Sequence, residues 1–539
     1  MSQFDYDWVV VGSGFGGSVS ALRLAEKGYK VGVLECGKRF TDKDFPKSTW
    51  DFRRYFWAPR LGLRGIFRLT PFKDVAILSG SGVGGGSLGY ACTLYVPPSK
   101  FFKDPQWADL ADWERELKPH YTEAQRMLGV AYVETDDAAD ELLREYGEHI
   151  GVGDTYTKTP VGIFFGEAGK TVVDPYFGGE GPERTGCTFC GRCMVGCPQG
   201  AKNTLVKNYL YLAEQRGTEV VPDRLVTEIR PLGAEDGSDG YAITSERSGM
   251  IPGRDRRTIT ARGVVVAAGA LGTNKLLQQC RLTGALPRIS NRLGELVRTN
   301  SEMILAVTVP EDYPDDLTKR VAISGSIYPD ANTHIETVSY GKAGDSMGLL
   351  YTLLVGDGTR VTRPLKLLGQ IVRHPLRFAK ALWPKGWSRR TIILLVMQTL
   401  DNAIALRPTL RGGKVWLQTE QDPEKPNPTF IPGANQAAEW LAERTGGVAQ
   451  SAVTEALLNI PTTAHILGGA VIGHSPEDGV VDARQRVFGY ENLLVCDGAA
   501  VPANVGVNPS LTITALAEHA MSEVPAASEP DYEANLSAT

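Results

Sequence analysis

Hydrophobic positions along this chain follow two rhythms. At Tyr6 to Val11, Val31 to Leu34, Val264 to Ala268 and Leu493 to Cys496 they form short, largely apolar runs, the texture of parallel strands buried on both faces. Beyond about Asn300 the segments are short and alternating: Met303 to Val309, Val321 to Ile327, His334 to Tyr340, Gly348 to Val355 and Ile392 to Gln398. They predict an antiparallel sheet. Helical spacing occupies Ser18 to Lys27, ended by Gly28, then Lys202 to Gln215, and the stretch that Val507-Asn508-Pro509 opens through Glu518. Residues 103 to 151 read as largely helical and solvent-facing. Thr93 to Val96 reads as a short strand, and so does Glu219 to Val221, with Val226 on the segment after it.

The expected class is therefore α/β: a doubly wound sheet beside a second, α+β domain with mainly antiparallel strands. Residues 1–100, 200–299 and 456–524 are assigned to the first, discontinuous domain and 300–455 to the second. Residues 101–199 form a helical segment with a small cysteine-rich insertion. The small, polar, acidic tail 525–539 is expected to be disordered.

The first apolar run ends in glycine. Gly12, Gly14 and Gly17 fit G-x-G-x-x-G. Gly12 allows a tight turn, Gly14 lets the backbone approach a pyrophosphate, and Gly17 brings the next helix close, so its N-terminal N–H groups meet the phosphates. Glu35, ending the second strand about twenty residues on, stands where an acceptor for ribose hydroxyls is expected. Such a motif alone is weak. Strand, turn, helix, strand and terminal acid in order favour a dinucleotide site over a plain glycine turn. A second cluster, Gly80 to Gly89, carries glycine at a density that strand or helix would not tolerate, and suits close approach to a flat or anionic ligand.

Composition narrows the partners. A chain of 539 residues with 42% hydrophobic and 22% charged content is long enough for two to four soluble domains. A net charge of −5 argues against general nucleic-acid binding. The fold starts near Asp5, leaving no room for a signal peptide, and no uncharged run is long enough to cross a membrane. A cytoplasmic protein with reduced thiols is expected. Two stretches suggest peripheral contact with a membrane. Residues 51–74 interleave cations with aromatics, and read as a solvated irregular loop, a substrate lid or a lipid-touching patch. Arg360 to Arg390 is basic and apolar with no acid, and Pro364, Pro375 and Pro384 would break it into short helices.

Half of the eight cysteines lie in Cys187-x2-Cys190-x2-Cys193-x3-Cys197-Pro198. That is the spacing with which bacterial ferredoxins wrap an iron–sulfur cubane. Disulfides suit an oxidising compartment, and zinc ribbons split their ligands into distant pairs, so the spacing favours a cluster. With one run only, three arrangements stay open: Cys197 completes a 4Fe-4S cluster, a remote ligand does, or the cluster is 3Fe-4S. Cys36, Cys92, Cys280 and Cys496 read as buried structural thiols.

The last segment holds the candidates for chemistry: His465-Ile-Leu-Gly-Gly, Asp497-Gly498 after a strand, and Gly506-Val507-Asn508-Pro509. A lone histidine could equally be a core residue, and an Asn before Pro could be a cap. Together with the N-terminal fingerprint, the Gly82–Ser87 loop and the Ala267–Thr273 turn, these motifs resemble the glucose–methanol–choline (GMC) oxidoreductases over nearly the whole chain, and most of all the bacterial cholesterol oxidases. The resemblance implies a Rossmann-like FAD domain, with FAD on Gly12, Gly14, Gly17 and Glu35 and with Gly85, Gly86, Ser87, Val226, Asp497 and Gly498 around it. It implies that His465 and Asn508 face the flavin, as base and as holder of the substrate oxygen. Glu336, by itself either an outward carboxylate or a pocket-facing proton acceptor, falls where such steroid oxidases carry a glutamate that shifts a double bond. Two features depart from the pattern: Tyr90 stands where an asparagine is usual, and the cysteine run is absent from the familiar oxidases. A cluster passes single electrons, which favours a dehydrogenase feeding a protein or quinone over a pure oxidase. The expected substrate is a bulky apolar secondary alcohol of the 3β-hydroxysteroid class. The rival readings are an iron–sulfur flavoprotein that carries electrons or senses redox state with no alcohol substrate, and a lyase or isomerase that keeps flavin as scaffold.

Overall fold

The computed structural model describes residues 4–251 and 253–528. Strand β1 (Tyr6–Val11) lies between β2 (Val31–Leu34) and Arg257–Val266, all parallel, with Val10 in register with Val33 and Val265. Glu219–Val221 adds beyond β2, and Leu493–Val495 adds beside Val264–Val266, again in parallel. Arg224–Pro231 and Tyr241–Arg247 continue the sheet antiparallel from the early half of Arg257–Val266. Val9, Val10, Val33, Val264 and Val265 are fully buried, which is why their runs contain no polar alternation. Helix α1 (Phe15–Glu26) packs against the helices Tyr209–Gln215 and Ser510–Ser522 and covers one face.

The second sheet has seven antiparallel strands in the order 351–353, 448–452, 303–308, 391–398, 333–338, 323–330, 157–158. Its two faces do different work. Leu305, Ile335, Leu394 and Val396 pack with the helices Ala138–His149 and Pro432–Thr445. Ala306, Val338, Ile393, Leu395 and Met397 join Phe40, Phe45, Tyr55 and Phe67 of the first half. Side chains alternate along a strand, so His334 and Glu336 share the face of Val338, the one turned toward the nucleotide half.

Several elements differ from expectation. Thr93 forms only an isolated bridge to Val161, without a strand through Val96. Gly348 lies against the Trp387 ring, so the chain turns as a 3-10 segment, Asp345–Leu350, before the short strand Tyr351–Leu353. The helix expected from Lys202 starts at Tyr209, because Lys202 turns inward to three backbone carbonyls and the Asn208 side chain caps Tyr209 N–H. Residues 51–74 hold a helical turn, Phe52–Tyr55, and short strands, where an irregular loop was one expectation. The hairpin Ile404–Arg411/Lys414–Gln421 gave no signal that we recognised. At the tail, Tyr29 donates to Pro525 O (3.0 Å) and Ala527 N–H to Lys27 O (2.9 Å); residues 529–539, expected to be disordered, lie outside the described residues.

Candidate active site

Three glycine turns meet at the start of α1. Gly12 has φ +101°, and a Cβ there would sit 2.2 Å from Ala267 O. A Cβ on Gly85 would lie 2.7 Å from Gly14 Cα, so the second glycine loop rests on the first. Gly86 approaches the Phe15 ring, and Ser87 is spent on the loop itself, donating to Gly84 O (2.7 Å) and accepting from Leu205 N–H (3.1 Å). The buried Glu35 carboxylate accepts from Ser13 N–H and Oγ and from Gly37 N–H. Arg224 N–H donates to Glu35 O (2.8 Å), which seats the strand of buried Val226 beside it. Asp497 takes Gly269 N–H (2.8 Å) and Thr273 Oγ1 (2.6 Å) on one oxygen and Ala499 N–H (2.7 Å) on the other, tying the third turn in. Burial pushes its pKa up to about 6. Gly498 O accepts from Gly468 N–H (2.7 Å), so the histidine motif runs alongside.

This cradle fits a dinucleotide. No side chain caps the N-terminus of α1, its first turn carries no acid, and the Cβ position of Gly14 meets nothing within 4 Å. Free N–H groups at a helix start facing open space are what a pyrophosphate needs.

Four polar side chains cluster under the second sheet. His465 pairs through Nδ1 with the Glu302 carboxylate, whose other oxygen accepts Ala464 N–H (2.8 Å). Burial disfavours the charged imidazole, yet Glu302 and then Glu336 outweigh it and raise its pKa. Glu302 thereby selects the tautomer and leaves Nε2 for a reactant. Fully buried Glu336 accepts from Asn508 Nδ2 (3.2 Å), and burial pushes its carboxyl up to about 8. Glu336 Oε1 and Asn508 Oδ1 have no partner among the described residues. Asn508 is thus no helix cap: its side chain turns inward to Glu336. His334, buried and stacked on Tyr328 (4.4 Å), is held neutral, its pKa pushed to about 3.

Sequence reasoning missed Glu302 and Asn300. Asn300 (φ +58°) and Ser301 (φ +48°) hold strained left-handed backbone immediately before Glu302. Asn300 accepts Gly506 N–H (2.7 Å) and donates to Val507 O (2.9 Å), which fixes the loop presenting Asn508. Nothing in the local pattern marks either residue, because their partners lie far along the chain.

GMC oxidoreductase family profiles match residues 180–294 and 393–517. The chain is 53% identical over 540 residues to a cholesterol oxidase of Mycobacterium tuberculosis (strain ATCC 25618 / H37Rv), covering 98% of this chain and 92% of the relative. It is 47% identical to a cholesterol oxidase of Acinetobacter baumannii, with 98% and 95% covered.

This chain is a GMC oxidoreductase.

Its fold is that of the pyridoxine 4-oxidase from Mesorbium loti, with a TM-score of 0.59 at 14% identity over 96% of this chain and 98% of that one. As a GMC oxidoreductase it is an FAD-dependent enzyme of alcohol oxidation, and the three glycine turns fit that dinucleotide.

The cysteine run lies next to this GMC cradle. Cys187, Cys190, Cys193 and Cys197 line one cavity, together with Lys202 and Arg320. Cys92, expected to be a buried structural thiol, is a free thiol hydrogen-bonded to Cys193; that hydrogen bond, against burial and with help from Lys202, draws Cys193 down to about 7, whereas burial pushes Cys187 up to about 12. Lys202 is buried with carbonyl partners alone, Leu88, Tyr90 and Cys193. Among the described residues no group of three or more His, Cys, Asp or Glu side chains is arranged to hold a metal ion. Tyr90, in place of the usual asparagine, packs edge-on against Phe15 of α1 (5.4 Å), 4.6 Å from the Lys202 ammonium.

Proposed function

We propose that this enzyme oxidises the hydroxyl of a bulky apolar secondary alcohol, a 3β-hydroxysteroid of the cholesterol class, to the ketone. The observation that carries the reading is the Glu302–His465 pair beside the Glu336–Asn508 pair, under an apolar sheet face, in a chain about half identical to two proteins named cholesterol oxidase. His465 Nε2 takes the hydroxyl proton while Glu302 stabilises the imidazolium that results. The Asn508 amide holds the substrate oxygen and so aligns the reacting carbon, beside the Glu336 carboxyl that it contacts. Bound FAD supplies the acceptor for the hydride. Glu336, whose carboxyl burial pushes up to about 8, can then move a proton between two carbons and shift a double bond toward the new ketone.

In the same proposal Cys187, Cys190, Cys193 and Cys197, which are not arranged to hold a metal ion here, would have to move together to become the ligands of a 4Fe-4S cluster. Its support is the spacing and the shared cavity. Such a cluster would supply single-electron transfer toward a protein or quinone; without iron, dioxygen would be the acceptor. Anaerobic mixing with cholesterol should bleach the flavin within a turnover, and iron and sulfide should each count about four per flavin. A flavin that no sterol bleaches would favour an iron–sulfur carrier without an alcohol substrate. Bleaching without iron leaves the oxidase alone.

A further inference from the structure

Two stretches far apart in sequence form one exposed apolar and basic surface. The helices Thr362–Arg373 and Pro375–Ala381 bury Leu367, Ile371 and Phe378 against Leu353, Val355 and Ala456. That contact uses their inner side. On the outer side Leu365, Leu368, Val372, Leu376, Leu382 and Trp383 remain exposed, Leu376 to 78% and Trp383 to 71%. A surface helix of a soluble protein carries one apolar face; these carry two, and the second covers nothing among the described residues.

The hairpin does not stand alone. Thr49 N–H donates to Ala343 O (2.8 Å) and its Oγ1 accepts from Ser346 Oγ (2.6 Å), which ties the segment of exposed Trp50 and Phe52 to the one that leads into exposed Leu349 and Leu350. Arg360 reaches Lys73 O (2.7 Å) and Asp74 (3.3 Å), tying the hairpin to the same loop region. Beneath Leu349 and Leu350, Met347, Tyr351 and Trp387 belong to the cluster on the site-facing side of the second sheet. The surface therefore lies over the wall of the candidate site.

Its charge selects the occupant. No Asp or Glu occurs between Asp357 and Asp401, although the chain as a whole carries −5. Arg373, Arg377, Lys380, Lys385 and Arg389 sit among the exposed leucines and take part in no ion pair among the described residues. No helix of the described residues is long and apolar enough to cross a membrane, so the element suits lying in an interface. We propose that this surface docks the enzyme on an anionic lipid bilayer, the apolar side chains entering the headgroup boundary and the cations meeting lipid phosphates. Attraction of each cation to such a leaflet falls off within a Debye length, so binding must weaken with salt.

The inference goes beyond the catalytic reading, and its test needs no turnover. FAD-loaded full-length protein is floated with phosphatidylcholine vesicles, with and without phosphatidylglycerol. It should float with the anionic vesicles alone and be released by salt. Leu376→Glu with Trp383→Glu, and separately Arg373→Glu with Arg377→Glu, should each weaken flotation at least about ten-fold, with thermal midpoint, flavin spectrum and turnover of detergent-dispersed alcohol unchanged. Wild-type protein that stays unbound, or variants that float equally well, would overturn it. So would a concentration-dependent dimer that the leucine–tryptophan variant abolishes while vesicles go unbound; the occupant would then be a second copy of this chain.

Discussion

His465 is set by a neighbour that lies over 160 positions away in sequence. Because Glu302 holds its pKa above the ordinary histidine value, the neutral base gains population only as pH rises through that raised value. Glu302→Gln keeps the shape and removes the charge, so the acid limb of kcat/KM should move to lower pH. A limb that stays put would show that Glu302 does not tune His465. His465→Ala should slow flavin reduction about 10²- to 10⁴-fold, as loss of a general base does. Glu336 gives a second pH signature. Its value rises from 4.5 to about 8 on folding, so the native protein keeps a proton that the unfolded chain releases. Its contribution is intact below pH 4.5 and is lost as pH climbs through 8, at up to about 1.4 kcal/mol per pH unit. Glu336→Gln removes that loss. The variant's thermal midpoint should gain on wild type steadily across this window, and a pH-independent gap would refute the buried-acid reading.

At the scale of elements, glycines separate packing from binding. A Cβ on Gly16 would sit 1.6 Å from Cys496 O, because α1 crosses the end of Leu493–Val495 at backbone contact. Gly14 has open space instead, and its φ of −73° suits any residue. Gly16→Ala should therefore cost stability in the apoprotein, about 1–3 kcal/mol or more. Gly14→Ala should melt like wild type and lose FAD on dilution. Equal melting of both, read by calorimetry beside flavin content, would contradict the close approach. The motif G-x-G-x-x-G was legible because each glycine answers a local demand. The hairpin Ile404–Arg411/Lys414–Gln421 answers a local demand too, because Gly412 (φ +56°) and Gly413 (φ +72°) form its two-residue turn.

Across the whole molecule, the first and last helices close the discontinuous sheet. Arg23 on α1 forks onto Glu518 of Ser510–Ser522 (2.7 and 2.9 Å) and reaches Glu123 (2.6 Å), while Tyr209 donates to the same Glu518 (2.6 Å). Removing one partner of so enclosed a network leaves a buried charge, so Arg23→Met should cost about 3 kcal/mol. Thermal unfolding should show it as a midpoint several degrees lower; an unchanged midpoint would place the strength of this closure elsewhere.

The sequence alone determined what is local: buried parallel runs, alternating strands, the dinucleotide turn with Glu35, the cysteine spacing, and the two motifs that carry His465 and Asn508. Strand period and turn chemistry act over a few residues, so they can be read directly. Tertiary structure decided which polar groups share one dry volume. Only folding brings Glu302 to His465 and Glu336 to Asn508, places Cys92 and Lys202 against the cysteine cavity, and ties Arg360 at the head of the basic hairpin to Asp74. Those pairings depend on long-range packing and desolvation, and no periodicity in the chain encodes either.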